Sequence, residues 1–174
     1  MNRHFLKTSL TLLAICCLCA SFAHAKDKPS AMPSASAIQV ELPDAGDTAI
    51  PAEFRYAVFE HLITHLQKSG TFQKVYRSGD KGAAGASDLL TLRASVEKFT
   101  EGNQMAREVL VVAGWTKVTV NVKVTAKDGH TVLEKPVTGK VRFRGENLNV
   151  TRDLAKQITK LLKENFKATG TPTA

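Results

Sequence analysis

The sharpest alternation in the chain interleaves Val118, Val120, Val122 and Val124 with Lys117, Thr119, Asn121, Lys123 and Thr125. This period of two predicts a strand over Thr116 to Ala126 with one dry and one wet face. Asp128-Gly129 is a two-residue hairpin sequence, so the chain is expected to return from His130 to Arg144, with an irregularity near Pro136. Leu90, Leu92, Ala94 and Val96 alternate with Thr91, Arg93, Ser95 and Glu97, which predicts another strand over Leu89 to Phe99. Ile38, Val40 and Leu42 mark a short first strand, and Phe72, Val75 and Tyr76 a brief second one.

Two segments carry the helical period instead. Phe54, Val58, Phe59, Leu62, Ile63 and Leu66 share one face of a helix that Pro51 opens and Ser69-Gly70 ends. Val150, Leu154, Ile158, Leu161, Leu162 and Phe166 share a face of a last helix running from Asn149, a suitable N-cap, to Lys167. Ser78 to Ser87 is a run of small residues expected to be a mobile loop. Strands with a single apolar face need a cover, and two amphipathic helices supply it. The expected fold is therefore α+β, a two-layer sandwich with a mainly antiparallel sheet of about four to five strands and both helices on one face.

The amino end has a different pattern. Arg3 and Lys7 precede an uncharged run from Thr8 to Ala23, and Ala23-His24-Ala25 is a small-x-small sequence, so residues 1–25 read as a cleavable signal peptide. The run is shorter than the roughly 20 residues of a membrane-crossing helix, and no transmembrane span is expected. Residues 26–36 (KDKPSAMPSAS) read as a flexible leader, residues 37–168 as a single α+β domain, and residues 169–174 as a disordered tail. Cys16, Cys17 and Cys19 all lie in the signal segment, and Ile15, Cys16 and Leu18 before them are not the small residues that lipidation favours. The expected location is periplasmic or secreted rather than lipid-anchored. The remaining domain has no thiol for a disulfide, a nucleophile or a metal site.

Charge adds a functional candidate. Of 24 Lys and Arg, only Arg3 and Lys7 leave with the signal segment, whereas all 16 Asp and Glu remain, so the domain stays basic. A hairpin centred on Asp128-Gly129 places Lys117 opposite Lys140, Trp115 opposite Arg142 and, on the core side, Val120 opposite Val137. The wet face then gathers Lys117, Lys123, Lys140, Arg142 and Arg144. On the last helix Arg152, Lys156, Lys160, Lys163 and Lys167 fall within an arc of about 80°, opposite the apolar arc. These positions are candidates for contact with an anionic partner: a lipid headgroup, a glycolipid or an acidic polymer of the envelope. Specific nucleic-acid binding is not expected, since Trp115 is the one aromatic on that wet face.

Other chemistry finds little support. His61 and His65, at i and i+4, are weak metal candidates: Leu62 stands where a zinc protease carries its glutamate. They are expected to be boundary residues of the core. Gly79, Gly82 and Gly85 lack the Gly-Lys-Ser/Thr of a phosphate loop, and no Gly-x-Ser-x-Gly elbow is present. No enzyme activity, metal or cofactor is expected.

The segment from Ile50 to Leu162 resembles a family of exported bacterial proteins known only as the domain of unknown function numbered 4410. The resemblance is carried by Ile50-Pro51, Phe72-Gln73-Lys74-Val75, the strand from Leu89 to Phe99, Arg107, the strand from Gly114 to Val124, Asp128-Gly129 and Ala155 in the last helix. Many members are lipoproteins, and they usually carry a Gly-rich stretch before the last helix, where this chain has Gly145 alone. The resemblance implies an envelope location and no known reaction. The expected role is a non-catalytic accessory or binding module of the envelope. The alternatives are a structural subunit that docks an envelope protein through apolar contacts and a hydrolase with an unrecognised site.

Overall fold

The computed structural model describes residues 32–48, 50–100, 116–141 and 149–172. Along the chain they form β1 (Ala37–Val40), α1 (Ala52–Ser69), β2 (Lys74–Arg77), a 3-10 turn (Lys81–Gly85), β3 (Leu89–Thr100), β4 (Thr116–Ala126), β5 (Thr131–Val141) and α2 (Asn149–Asn165). The five strands make one sheet in the order β2-β1-β3-β4-β5. The sheet is mixed: β1 runs parallel to both β2 and β3, and the β3-β4 and β4-β5 pairs are antiparallel.

One face of the sheet supplies the core. Ile38 and Val40 of β1, Leu90, Leu92, Ala94 and Val96 of β3, and the alternating valines of β4 all join Phe54, Val58, Leu62 and Leu66 of α1 and Val150, Leu154, Ile158 and Leu162 of α2 in a single buried cluster. Burying one such aliphatic side chain stabilises the fold by about 1.5–3 kcal/mol. Both helices therefore lie on the same side, giving the two-layer sandwich. The β4-β5 register follows the expected pairing, with Lys117 opposite Lys140 and Val120 opposite Val137.

Several local features differ from the sequence reading. Pro51 stands at the cap position ahead of α1, whose first helical residue is Ala52. The hairpin irregularity falls at Val124/Thr125, beside the turn, while Pro136 pairs with Asn121. Pro136 is tolerated because β5 is an edge strand. Lys140, four residues on in the same register, sends its N–H outward to Asp153 Oδ2 at 2.8 Å, so the position where proline lacks an N–H also faces away from β4. The Ser78–Ser87 segment holds a 3-10 turn rather than a featureless loop; Asp80 accepts from the Gly82 N–H at 2.8 Å and Ala83 is buried. A register shift between Val96 and Lys98 turns Phe99 toward the helices, where its ring meets Phe54 edge-on with centroids 5.2 Å apart.

The domain also extends further at both ends than expected. Ala35 is buried, the Ser36 N–H donates to Asp88 Oδ2 at 2.6 Å, and Pro33 O accepts from the Lys167 N–H at 3.0 Å, so residues 33–36 belong to the fold rather than to a free leader. Thr169 Oγ1 donates to Ala35 O at 2.8 Å and the Gly170 N–H to Gly70 O at 3.0 Å, which brings the start of the expected tail onto the domain. These contacts use backbone groups and small side chains, so no hydrophobic period announced them.

Candidate anion-contact surfaces

On the open face of the sheet, the register places Lys123 between Arg93 of β3 and Glu134 of β5. Lys123 Nζ lies 3.3 Å from Glu134 Oε2, and Asn121 Nδ2 donates to the other oxygen at 2.9 Å. Together Asn121 and Lys123 hold the Glu134 carboxyl below its ordinary value. Arg93 forks onto Glu41 through two hydrogen bonds, at 2.8 and 3.1 Å. Two cations of this face, Lys123 and Arg93, are thus neutralised from within.

Lys117 and Lys140, both exposed and without a carboxylate partner among the described residues, form an uncompensated pair on the sheet, with Thr100 on the other side of Lys117. Arg142 and Arg144, the other two sheet candidates, and Trp115 lie outside the described residues.

The helix layer is different. Arg152, Lys156, Lys160 and Lys163 are exposed along α2 and Lys167 just past its end, and among the described residues only Lys160 has a carboxylate partner, Glu164 at 3.8 Å. Asp153, the other acid of this helix, points to the β5 edge and is used by Lys140 N. Basic side chains at i and i+4, as in Arg152, Lys156 and Lys160, repel one another. Arg152 also sits in the first helical turn, which has no acidic residue and where a cation opposes the helix dipole.

Beside this stripe runs α1. His61 Nδ1 and Thr151 Oγ1 lie 2.9 Å apart and share a hydrogen bond across the helix pair. His65, one turn on, lines a shallow groove of about 390 Å³ with Lys156, Thr159, Lys160, Lys163 and Glu164. Burial pushes the His61 ring below its ordinary value of 6.5, and the charge of Arg152 adds to this. His65 is lowered in the same way, by burial first and then by Lys156, His61, Arg152 and Lys68. The two histidines are half-buried boundary residues, as expected. What the sequence pattern did not reveal is that they join the α2 stripe: the helical periods placed each on its own wheel, and only the pairing of α1 with α2 merges the two.

Elsewhere the chemistry is sparse. Among the described residues no three His, Cys, Asp or Glu side chains gather to hold a metal ion, and no helix is long and apolar enough to cross a membrane. One concavity, about 450 Å³, is lined by Thr64, Gln67, Phe72 and Thr171, with Lys68 its charged residue. A second, about 410 Å³, contains Asp88, whose carboxyl is held low by hydrogen bonds from the Ser36 hydroxyl and N–H.

Comparison with known proteins bears on the fold. No family model matches the chain, and no curated protein does, so the resemblance to the family numbered 4410 rests on the residues quoted for it. Two crystal structures of the PelC dodecamer from Paraburkholderia phytofirmans are similar to this chain, with a TM-score of 0.56 in both, 16% and 15% identity, and 77% of this chain and 91% of that one covered. The hypothetical protein CT253 from Chlamydia trachomatis overlaps less well, with a TM-score of 0.45, 10% identity, and 74% and 92% covered. At these identities the PelC structures establish a shared architecture: the chain has the same α+β sandwich.

Proposed function

We propose that this domain is a non-catalytic accessory module of the cell envelope that docks on an anionic headgroup surface through its helix layer. The supporting observation is the contrast between its two faces. On the sheet Lys123 and Arg93 are matched by Glu134 and Glu41, leaving Lys117 and Lys140, whereas the stripe from Arg152 to Lys167 has one weak acidic partner among the described residues. Like charges left together cost stability, and an anionic surface relieves that cost. The signal-like segment 1–25 supports an envelope location, where such headgroups are abundant.

Co-sedimentation tests this reading. The protein should bind vesicles of phosphatidylglycerol mixed with phosphatidylcholine, ignore phosphatidylcholine alone, and release as salt rises, because exposed charges are screened over about 10 Å at 0.1 M ionic strength. Replacing Lys156, Lys160 and Lys163 together with Gln should abolish the binding. Failure to bind the anionic vesicles at low salt removes the proposal.

A second reading, self-association, draws on the strand β2, which among the described residues ends the sheet with no further strand on its outer side, and on the likeness to PelC, which was crystallised as a dodecamer. Exposed edges are templates for pairing with another chain. Sedimentation velocity distinguishes it: assembly that persists at high salt favours edge pairing over charge-driven clustering.

A further inference from the structure

The junction of α1 and α2 holds a more specific feature than the stripe as a whole. Two imidazoles meet basic side chains there: His61 is tied to Thr151 of α2, next in sequence to Arg152, whose charge acts on both rings, and His65 lies in the groove with Lys156. The acids nearby are already engaged. Glu60 is bound by both guanidinium nitrogens of Arg77, which itself stacks over Phe59 at 5.5 Å, and Glu164 is with Lys160. Thr159 directs its hydroxyl to Ala155 O at 2.8 Å, inside its own helix. The groove is therefore lined by His65, Lys156 and Lys163, which have no carboxylate partner among the described residues, beside the Lys160–Glu164 pair.

Resting on the reading of the helix layer as the contact surface, we infer that His61, His65, Arg152 and Lys156 form a seat for one phosphodiester oxyanion, filled more tightly as the histidines take up protons. The chemistry fits each member. Arg152 offers a planar fork for two oxygens and Lys156 a point charge, as phosphate recognition requires. A neutral imidazole donates through one nitrogen only, and protonation makes both nitrogens donors. With the anion absent, added protons meet Arg152, Lys156 and Lys68 and are disfavoured; with it present, the same protons are stabilised. Glu60, which favours protonation of His61, is the one acid that acts the other way in the empty site. Binding and protonation then promote one another, as linkage demands. Seat and stripe differ in this respect: the imidazoles belong to the seat alone.

The test combines two probes whose phosphodiester charge is constant over the range used. One is the vesicle of phosphatidylglycerol and phosphatidylcholine; the other is glycerophosphoglycerol, the same headgroup free in solution. Between roughly pH 7.5 and pH 5.5, vesicle affinity should rise at least threefold, and the rise should shrink to less than about twofold in His65→Gln. In nuclear magnetic resonance spectra, glycerophosphoglycerol should move the imidazole signals of His61 and His65 and raise their titration midpoints while leaving His130 unaffected. Movement with the free headgroup assigns the seat to the phosphodiester itself; a pH-dependent gain confined to vesicles and lost in His65→Gln assigns it to the lipid surface. Vesicle binding that is equal at both pH values, with unmoved imidazole signals, overturns the seat and leaves the docking surface standing. Absence of vesicle binding at either pH removes both.

Discussion

Gly139 of β5 faces Leu154 of α2 so closely that a Cβ built on the glycine would stand 2.7 Å from the leucine Cβ and 2.9 Å from its backbone N and Cα. Helix and strand meet backbone to backbone at this point, which seats α2 on the sheet and brings Asp153 to the β5 edge. Gly139→Ala must push the helix away. We expect a loss of about 1–3 kcal/mol, the usual range for overpacking. Urea denaturation should show it, while Gly85→Ala, where a Cβ meets nothing within 4 Å, should stay within about 0.5 kcal/mol of the parent.

A second close approach holds the carboxyl end. A Cβ on Gly170 would overlap the Phe72 carbonyl oxygen, and Phe72 packs on Phe166 with ring centroids 5.8 Å apart. Gly170→Ala should therefore detach the segment after Phe166 from the hydrogen bonds that join Thr169 to Thr71 and Ala35. Amide exchange at Thr169 and Gly170 should accelerate at least tenfold in the variant, with exchange in β4 much less changed. Equal protection of Thr169 in both proteins would show that the tail docks without Gly170.

These two glycines mark the limit of what the sequence disclosed. Period-two valines and a single Asp128-Gly129 turn were enough to fix the β4-β5 register through Val124 opposite Leu133, because a one-residue slip would have turned every valine outward. The parallel placement of β1 between β2 and β3 was not legible. Four residues, Ala37–Val40, carry no information about partners, and their neighbours are chosen by the crossover through α1 and by β3. Gly139 was silent for a related reason: its role is to be absent from the path of Leu154, and only the packed layers show that path. The same holds for charge. Lys123 looked like a member of a basic face until the register set Glu134 across from it.

The histidines give stability a defined dependence on pH. Burial lowers both rings from 6.5 in the fold, so the unfolded chain binds more protons below that value. Stability from this source is complete above 6.5 and is lost as pH falls through that value toward the lower folded ones. Glu60, Asp88 and Glu134, held below ordinary values of 4.5, 3.8 and 4.5, favour the fold with the same sign, their contribution being lost as pH falls further, below those values. Between about pH 7.5 and pH 5.5 the slope therefore belongs to histidine. Urea midpoints should fall over this interval in the parent and fall less in His61→Gln/His65→Gln. A midpoint that does not change with pH in the parent would contradict the burial of these rings.

Lys117 and Lys140 supply the test that separates the two basic faces. Because the Lys140 N–H turns outward to Asp153, the pair does not exchange hydrogen bonds across the ladder, and such pairs hold their side chains closest. Lys117→Glu turns a like-charge contact into an attractive one and should stabilise the fold by about 0.2–1 kcal/mol. On vesicles it should weaken binding far less than Lys156→Glu, although both substitutions change the net charge by the same amount. Equal losses would mean that only total charge matters, and a greater loss for Lys117→Glu would move the contact to the sheet. A helix-layer surface requires the Lys156 variant to be the weaker binder while the Lys117 variant gains stability, a combination that neither alternative produces.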